Sequence, residues 1–305
     1  MFEASLRLAC LLVAAFLAAP WPTAALAQEP RPAQGFLWEA TRGTERVLLL
    51  GSIHVGRADS VTRFAANLPR LMPADVVVFE ANVFDAQASM AAMQRWALYP
   101  EGAPGLEAHV DAATMARIEK LVARSGASVP VCCRMKPWMV ANTLVVLEAM
   151  RAGLSPAYGS EAQLYQFALA SGRPVVEIEG VESQLRLFAE TAPGAQLDYL
   201  RYTLDSIDSG RARKEIERLV GAWERGDAAA LEAMLAAMQA EAGAGKGHLM
   251  DRLVRGRHPR MIAAIERHAA SDRLHLVAIG ALHFFGPDGL IEGLRERGFA
   301  VRRLG

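Results

Sequence analysis

The feature that most constrains the fold is a set of short apolar runs that alternate along the chain with helical patterns. Runs at 75–80 (DVVVFE), 174–179 (PVVEIE) and 274–280 are rich in β-branched residues, which favours strands. A continuous run of this kind is typical of a strand buried on both faces, so helices must cover both sides of the sheet. The sequence therefore predicts an α/β fold with a mixed central sheet covered by helices on both faces.

The remaining patterns extend this prediction over one domain, residues 28–305. An opening hairpin is predicted from strands at 36–40 and 46–51. No convincing strand pattern occurs from 181 to about 270, which we interpret as a helical insertion or cap between the last strands. Other predicted elements are helices at 61–71, 86–96, 112–124, 138–151, 161–171, 228–240 (N-cap Asp227) and 288–297, and a final strand at 299–304.

Composition limits the classes of partner. The 305 residues are 52% apolar and include 33 basic and 33 acidic side chains, which is ordinary globular composition. A nucleic-acid or anionic-membrane partner would be expected to draw an excess of Lys and Arg, which this chain lacks. We therefore expect a peptide or small-molecule substrate and no nucleic acid.

The N-terminus has the pattern of a cleaved secretory signal. Arg7 precedes the apolar run 8–19, and the small-residue site Ala25-Leu26-Ala27 follows it. The run is shorter than the roughly 20 residues that span a bilayer, and no later segment is long and apolar enough to do so. The interpretation is a signal peptide at 1–27 and a mature chain that begins at Gln28 and is exported to the periplasm or secreted.

Two cysteines of the mature chain are adjacent, Cys132 and Cys133. A disulfide between neighbours is strained, and the mature sequence offers no distant partner. We interpret them as unpaired packing thiols, with a vicinal or intermolecular disulfide as the alternative.

The candidate chemistry lies in an internal similarity between residues 47–56 and 276–286. Each segment is an apolar strand followed by Gly-x-x-His and then by another glycine, which places His54 and His283 in matching exit loops. Glycine at a strand end permits a sharp turn or the close approach of another group. In sheets of this class, ligands bind outside the carboxyl ends of the strands. The two histidines are therefore predicted to converge.

Carboxylates follow two other predicted buried strands, at Glu80 and Glu179. Two histidines and a carboxylate with an open position suit Zn, Mn or Fe and generate a nucleophilic water. Without a metal, the same groups supply a histidine base oriented by a glutamate. Glu177 is interpreted as a surface carboxylate. The remaining histidines are interpreted as surface or capping residues: His109, His248, His258, His268 and His275.

Six segments in order resemble the TraB/GumN family, which is related to the TIKI proteins. They are LWEATRGTERVLLLGSIHVG, VVVFEAN, KPW, VVEIEGVESQL, GAWERGD and AIGALHFFGPDGLIEGLRERGFAVRRL. The resemblance covers about residues 36 to 304, nearly the whole mature chain.

The resemblance implies an α/β fold with paired Gly-x-x-His motifs and an acidic residue in the active site. TIKI proteins are described as metal-dependent proteases using Mn or Co, whereas distant erythromycin-esterase relatives cleave an ester with His and Glu and need no metal. The matching positions here are His54, Glu80, His283 and Glu179. Arg257 matches a family arginine usually followed by Asn, although His258 follows it in this chain. Glu161 stands where the family commonly has Asp.

The resulting hypothesis is an exported metal-dependent hydrolase, peptidase-like in its substrate. His54, Glu80 and His283 would bind a divalent ion, either Mn, Co or Zn. Glu179 would act as a base or as a partner of a ligand, and Arg257 would hold a substrate carboxylate or an oxyanion. The alternatives are a metal-free, esterase-like hydrolase with a histidine base, and a non-catalytic binding or regulatory protein of the cell envelope.

Overall fold

The structure is a computed structural model that describes residues 35–241 and 253–304. The predicted signal peptide at 1–27, its cleavage before Gln28 and the position of His248 lie outside these residues. Within the described ranges, no helix has both the length and the apolar character needed to cross a membrane.

In the described part of the chain, six strands form one mixed sheet in the order β4-β3-β5-β2-β1-β6. The strands β2, β5, β3 and β4 are mutually parallel, and β1 pairs antiparallel with both β2 and β6. This confirms the predicted mixed α/β sheet and its opening hairpin. The bounds are β1 Phe36–Arg42, β2 Glu45–Ser52, β3 Val76–Phe79, β4 Val175–Glu177, β5 His275–Gly280 and β6 Ala300–Arg303.

Strand burial follows position in the sheet. The central strands β3 and β5 are buried along nearly their whole length, as their continuous apolar runs predict. The interpretation of 174–179 as a second buried strand is wrong. Because β4 lies at the edge with β3 as its one neighbouring strand, its residues are partly or fully exposed, Val176 to 39%.

The predicted α-helices are confirmed with small shifts at their ends, except that the one helix predicted at 61–71 is two separate helices, Ser60–Ala65 and Leu68–Leu71. Asp227 accepts a hydrogen bond from the backbone N–H of Ala230 at 3.0 Å, which confirms it as an N-cap. The helices are α1 Ser60–Ala65, α2 Leu68–Leu71, α3 Ala86–Ala92, α4 Ala112–Arg124, α5 Val129–Cys133, α6 Pro137–Arg151, α7 Ser160–Ala170, α8 Val181–Ala189, α9 Pro193–Asp208, α10 Arg211–Arg225, α11 Ala228–Glu241, α12 His258–Ala269 and α13 Leu290–Glu296.

The described chain divides into two compact units. One contains 83–154 and 180–217, is helical, and has a core in which α6 packs against α9. Cys132 is buried in that core, and both cysteines are unpaired in the structure. The predicted insertion at 181–270 contains no strand in its described residues, and it is shared between the two units.

The other unit contains the whole sheet, in segments 35–82, 155–179 and 218–304. On one face, Leu48, Leu50 and Leu276 form a core with residues of α1, α2 and α7. Leu49 and Val277 point to the opposite face and are completely buried, and α12 contacts β2 and β5. Helices therefore cover both faces of this sheet.

Candidate functional site

The candidate site lies at the carboxyl ends of the parallel strands, within the unit that contains the sheet. Ser52 at the end of β2 pairs in register with Gly280 at the end of β5. The turns that carry His54 and His283 therefore leave neighbouring strands at the same edge. The structure also places Glu80 directly after β3, next to β5, and Glu179 two residues beyond the end of β4.

The two Gly-x-x-His turns differ in how exposed their histidines are. A Cβ on Gly51 would lie 2.9 Å from the Cβ of Phe36, so that position requires glycine for close approach. His283 lies in the 3₁₀ turn Ala281–Phe284 and is only 8% exposed. The side chain of His54 is 75% exposed. The sequence similarity therefore places the two imidazoles at neighbouring strand ends in unlike surroundings.

Arg257 lies at the centre of a buried polar group that we call the Arg257 cluster, with Glu80, Glu179, His283 and His258. Its guanidinium donates to both carboxylates, through Nη2 to Glu80 and through Nη2 and Nε to Glu179. Its Nη1 donates to the Leu253 carbonyl at 3.0 Å and faces His283 Nε2 at 3.5 Å. All five guanidinium N–H groups thus have protein acceptors.

The histidines of the Arg257 cluster form a directed chain of hydrogen bonds. His258 Nδ1 donates to the backbone carbonyl of Asp288 at 2.6 Å, because a carbonyl can only accept. His258 Nε2 then accepts from His283 Nδ1 at 3.1 Å, and His283 Nε2 remains to accept from Arg257. Both imidazoles in this series of hydrogen bonds are neutral, because a proton on the second ring nitrogen would place two hydrogen-bond donors opposite each other.

The pKa values agree with this pattern of charges. Burial lowers the pKa of His283 to about 4 and also lowers the pKa of His258. Burial by itself would raise the pKa of Glu80. The charge that His283 carries once it is protonated, near pH 4, and the permanent charge of Arg257 outweigh burial and hold the pKa of Glu80 below the ordinary value. At neutral pH the two histidines of the cluster are therefore neutral, and Arg257 is the cation that stabilises the Glu80 carboxylate.

A second polar group joins His54 to the N-terminus of α7. Glu161 Oε2 is 2.7 Å from His54 Nδ1, and Ser52 donates its hydroxyl to Glu161 Oε1 at 2.8 Å. Glu161 is in the first turn of α7, where the helix dipole favours a negative charge. Both carboxylate oxygens are therefore engaged, and the ring orientation of His54 is fixed through Nδ1.

This pair changes the proton affinity of His54. The negative charge of Glu161, with a smaller contribution from Glu80, raises the pKa of His54 to about 9. Because the imidazole is 75% exposed, solvent screens the attraction, and we expect a pKa between 6.5 and that value. The arrangement offers solvent a ring nitrogen, Nε2, on an imidazole whose protonated form is stabilised.

Two of the three predicted metal ligands, Glu80 and His283, already have protein hydrogen-bond partners at the atoms that would bind an ion. The oxygens of Glu80 accept from Arg257 and from the Gly280 N–H, and both ring nitrogens of His283 face protein partners. Among the described residues, no group of three His, Cys, Asp or Glu side chains is placed to hold one metal ion. In this arrangement the three residues do not fit a resident ion, because Arg257 lies against two of them. Metal binding stays a prediction.

Two residues of the site were not assigned to it from the sequence pattern. The interpretation of His258 as a surface or capping residue is wrong, since it is 5% exposed and contacts His283. Its position next to Arg257 was the available signal. Glu161 was noted only as a departure from a family pattern, although Ser160-Glu161 begins a helix. Glu177 is exposed, as expected, and accepts from the Asn82 N–H.

This fold and this site define a class, an α/β protein in which two histidine-bearing turns meet buried carboxylates at one edge of a mixed sheet. The chain belongs to the TraB/PrgY/gumN family, whose model matches residues 36–303. It is 25% identical over 254 residues to the uncharacterized protein YbaP of Escherichia coli (strain K12), covering 83% of this chain and 89% of that protein. The YbaP protein of Shigella flexneri gives the same identity and coverage. No solved structure matches the chain.

Proposed function

We propose that this site hydrolyses an acyl bond, with His54 as the general base and a small ester or a peptide as the substrate. The observation that carries the proposal is the pairing of an exposed imidazole with a partly buried carboxylate, His54 with Glu161 at 2.7 Å. A carboxylate on one ring nitrogen fixes the tautomer and stabilises the imidazolium that forms when the other nitrogen takes a proton. This is the metal-free alternative that the sequence leaves open.

The reaction uses groups that the chain itself supplies. His54 Nε2 removes a proton from water, and the resulting hydroxide adds to the carbonyl carbon to give a tetrahedral intermediate. The intermediate collapses with cleavage of the acyl C–O bond of an ester or the C–N bond of a peptide, and the imidazolium gives its proton to the leaving oxygen or nitrogen. Ser52 and Glu161 keep the imidazole oriented throughout. Arg257 has no N–H left for a substrate in this arrangement, so we now propose that it and Glu179 position Glu80 and His283 instead of binding the substrate.

The test is hydrolysis of p-nitrophenyl acetate by protein that has been treated with a chelator and dialysed. We expect His54→Gln to lower kcat/KM by about 100-fold or more, the contribution of a positioned general base. His109→Gln is the matched control, because His109 is also an exposed histidine but stacks on Tyr99 in the helical unit. Equal rates in the wild type and the His54 variant would reject the proposal, and absence of turnover on esters and peptides would favour a binding protein.

A metal-dependent, peptidase-like hydrolase is the second candidate, and one observation favours it. In both His54 and His283, Nδ1 is hydrogen-bonded to another side chain, which is the pattern of histidines that ligate metals through Nε2. Binding would require Arg257 to leave both Glu80 and His283 Nε2. Metal analysis after dialysis against Mn, Co and Zn separates the candidates: a stoichiometric ion that is lost in His54→Ala would support this one.

Export to the periplasm or the medium is part of the same proposal. Its support is the apolar run at 8–19 followed by Ala25-Leu26-Ala27. N-terminal sequencing of the protein from an exporting host is expected to begin at Gln28. A chain that retains Met1 would contradict it.

A further inference from the structure

We propose that Trp223 and Glu224, at the end of α10, are positioning residues that hold the His54 turn in place. They belong to the GAWERGD segment, to which the hydrolytic chemistry gives no role. The inference rests on the proposed function of His54, and it concerns contacts within the unit that contains the sheet.

Trp223 holds the start of the turn. Its indole Nε1 donates to the backbone carbonyl of Gly51 at 2.7 Å, and the side chain is 7% exposed. Gly51 is the glycine of the first Gly-x-x-His motif, three residues before His54. A buried carbonyl that loses its donor is costly, so this bond fixes the point where the chain leaves β2.

Glu224 holds the other end of the same segment. Ser60 donates its hydroxyl to Glu224 Oε1 at 2.9 Å, and Arg57 donates from Nη1 to Oε2 at 3.0 Å. The Ser60 hydroxyl also accepts from the Arg57 N–H at 3.0 Å. One carboxylate therefore joins two positions that lie three and six residues after His54.

These contacts complete a clamp on residues 51–60. Ser160 accepts from the Ile53 N–H at 2.9 Å through its hydroxyl, and the Ser160 N–H donates to the Ile53 carbonyl at 2.9 Å. The start of α7 thus holds the turn next to Glu161, while Trp223 and Glu224 hold its two ends. Because His54 lies between the fixed ends, moving either end changes the distance between its imidazole and Glu161.

The first variant is Trp223→Phe, which keeps an aromatic ring and removes the N–H. Trp138→Phe is the matched control, because Trp138 is 1% exposed and its Nε1 has no hydrogen-bond partner among the described residues. We expect Trp223→Phe to lower kcat/KM for p-nitrophenyl acetate about two- to tenfold, the range equivalent to one net hydrogen bond. The nitrogen chemical shifts of the His54 imidazole should also move. Trp138→Phe should lower Tm and leave both unchanged.

Two variants of Glu224 keep the test valid if Trp223→Phe does not fold. Glu224→Gln retains an acceptor for Ser60, whereas Glu224→Ala retains none, so we expect the His54 shifts to change more in the alanine variant. Lowered Tm with unchanged His54 shifts in the Trp223 and Glu224 variants would overturn the proposal and leave these residues purely structural. If the wild type does not hydrolyse the ester, the proposed function fails. The chemical shifts of His54 alone still test whether Trp223 and Glu224 hold the His54 turn in place.

Discussion

At the scale of single residues, Arg257 determines which other charges the site can contain. Its guanidinium is 11% exposed, and its partners Glu80 and Glu179 are 11% and 10% exposed. Carboxylates this deeply buried are strongly disfavoured as anions unless they are paired and hydrogen-bonded. Arg257 supplies both the opposite charge and the donors, and its own pKa is raised because the two carboxylates overcome the effect of burial.

Replacement of Arg257 by a neutral residue therefore leaves the two buried carboxylates without their positively charged partner. We expect Arg257→Gln to lower the free energy of unfolding by about 3–5 kcal/mol at pH 7, measured by urea denaturation. The triple variant that adds Glu80→Gln and Glu179→Gln should recover part of the loss, since it removes the unpaired charges. Arg46→Gln is the control, because Arg46 is 52% exposed in its pair with Glu39 and should contribute less than about 1 kcal/mol. Equal losses in the two single variants would contradict this role.

At the scale of elements, the N-terminus of α7 and the end of β2 position His54. Gly159 packs directly against the turn, where an added Cβ would lie 2.5 Å from the His54 carbonyl oxygen. No flexible side chain can yield at that point, because the obstructing atoms are backbone. The close approach is what brings Glu161 within hydrogen-bond distance of the imidazole.

Gly159→Ala tests this contact between elements. We expect it to lower Tm and the hydrolysis rate together, because α7 must move away from β2 and the His54 to Glu161 distance must increase. Gly194→Ala is the matched control, since Gly194 lies in the first turn of α9 with no neighbour within 4 Å of an added Cβ. It should be neutral or slightly stabilising. Wild-type activity in Gly159→Ala would show that the close approach does not matter.

The element order was predictable from sequence because central strands and amphipathic helices have distinct patterns. The run DVVVFE gives β3, and helix α4 begins and ends where its pattern does. The edge position of β4 was not predictable, since its apolar run resembles that of a central strand while strand order depends on distant pairing.

His258 and Glu161 were missed for a related reason. Their partners, His283 and His54, are brought near by the fold and lie 25 and 107 residues away.

At the scale of the whole molecule, the buried histidines link the site to stability. His283 has a pKa of about 4 in the folded chain, against about 6.5 when unfolded. Between these values the unfolded chain binds a proton that the folded chain does not, so stability falls as the pH decreases from 6.5 towards 4. The lowered pKa of His258 acts in the same direction.

We therefore expect the free energy of unfolding to decrease between pH 7 and about 5, before most carboxylates titrate. The loss attributable to His283 over this range should be about 2 kcal/mol, since the range covers about 1.5 pH units below 6.5 and each unit corresponds to about 1.4 kcal/mol. Denaturation of wild type and His283→Gln at several pH values measures it. The variant should show a shallower decrease, and parallel curves would indicate that His283 titrates alike in both states.

The pH dependence of hydrolysis tests the central claim most directly, because it reports the base that Glu161 controls. For wild type we predict that kcat/KM for p-nitrophenyl acetate increases with pH and levels off above an inflection between 6.5 and about 9, the pKa range of His54. In Glu161→Gln the inflection should move down towards 6.5 and the plateau should be lower, since a weaker base removes the proton. The same inflection in both proteins, or a rate independent of pH, would contradict the assignment of His54 and Glu161.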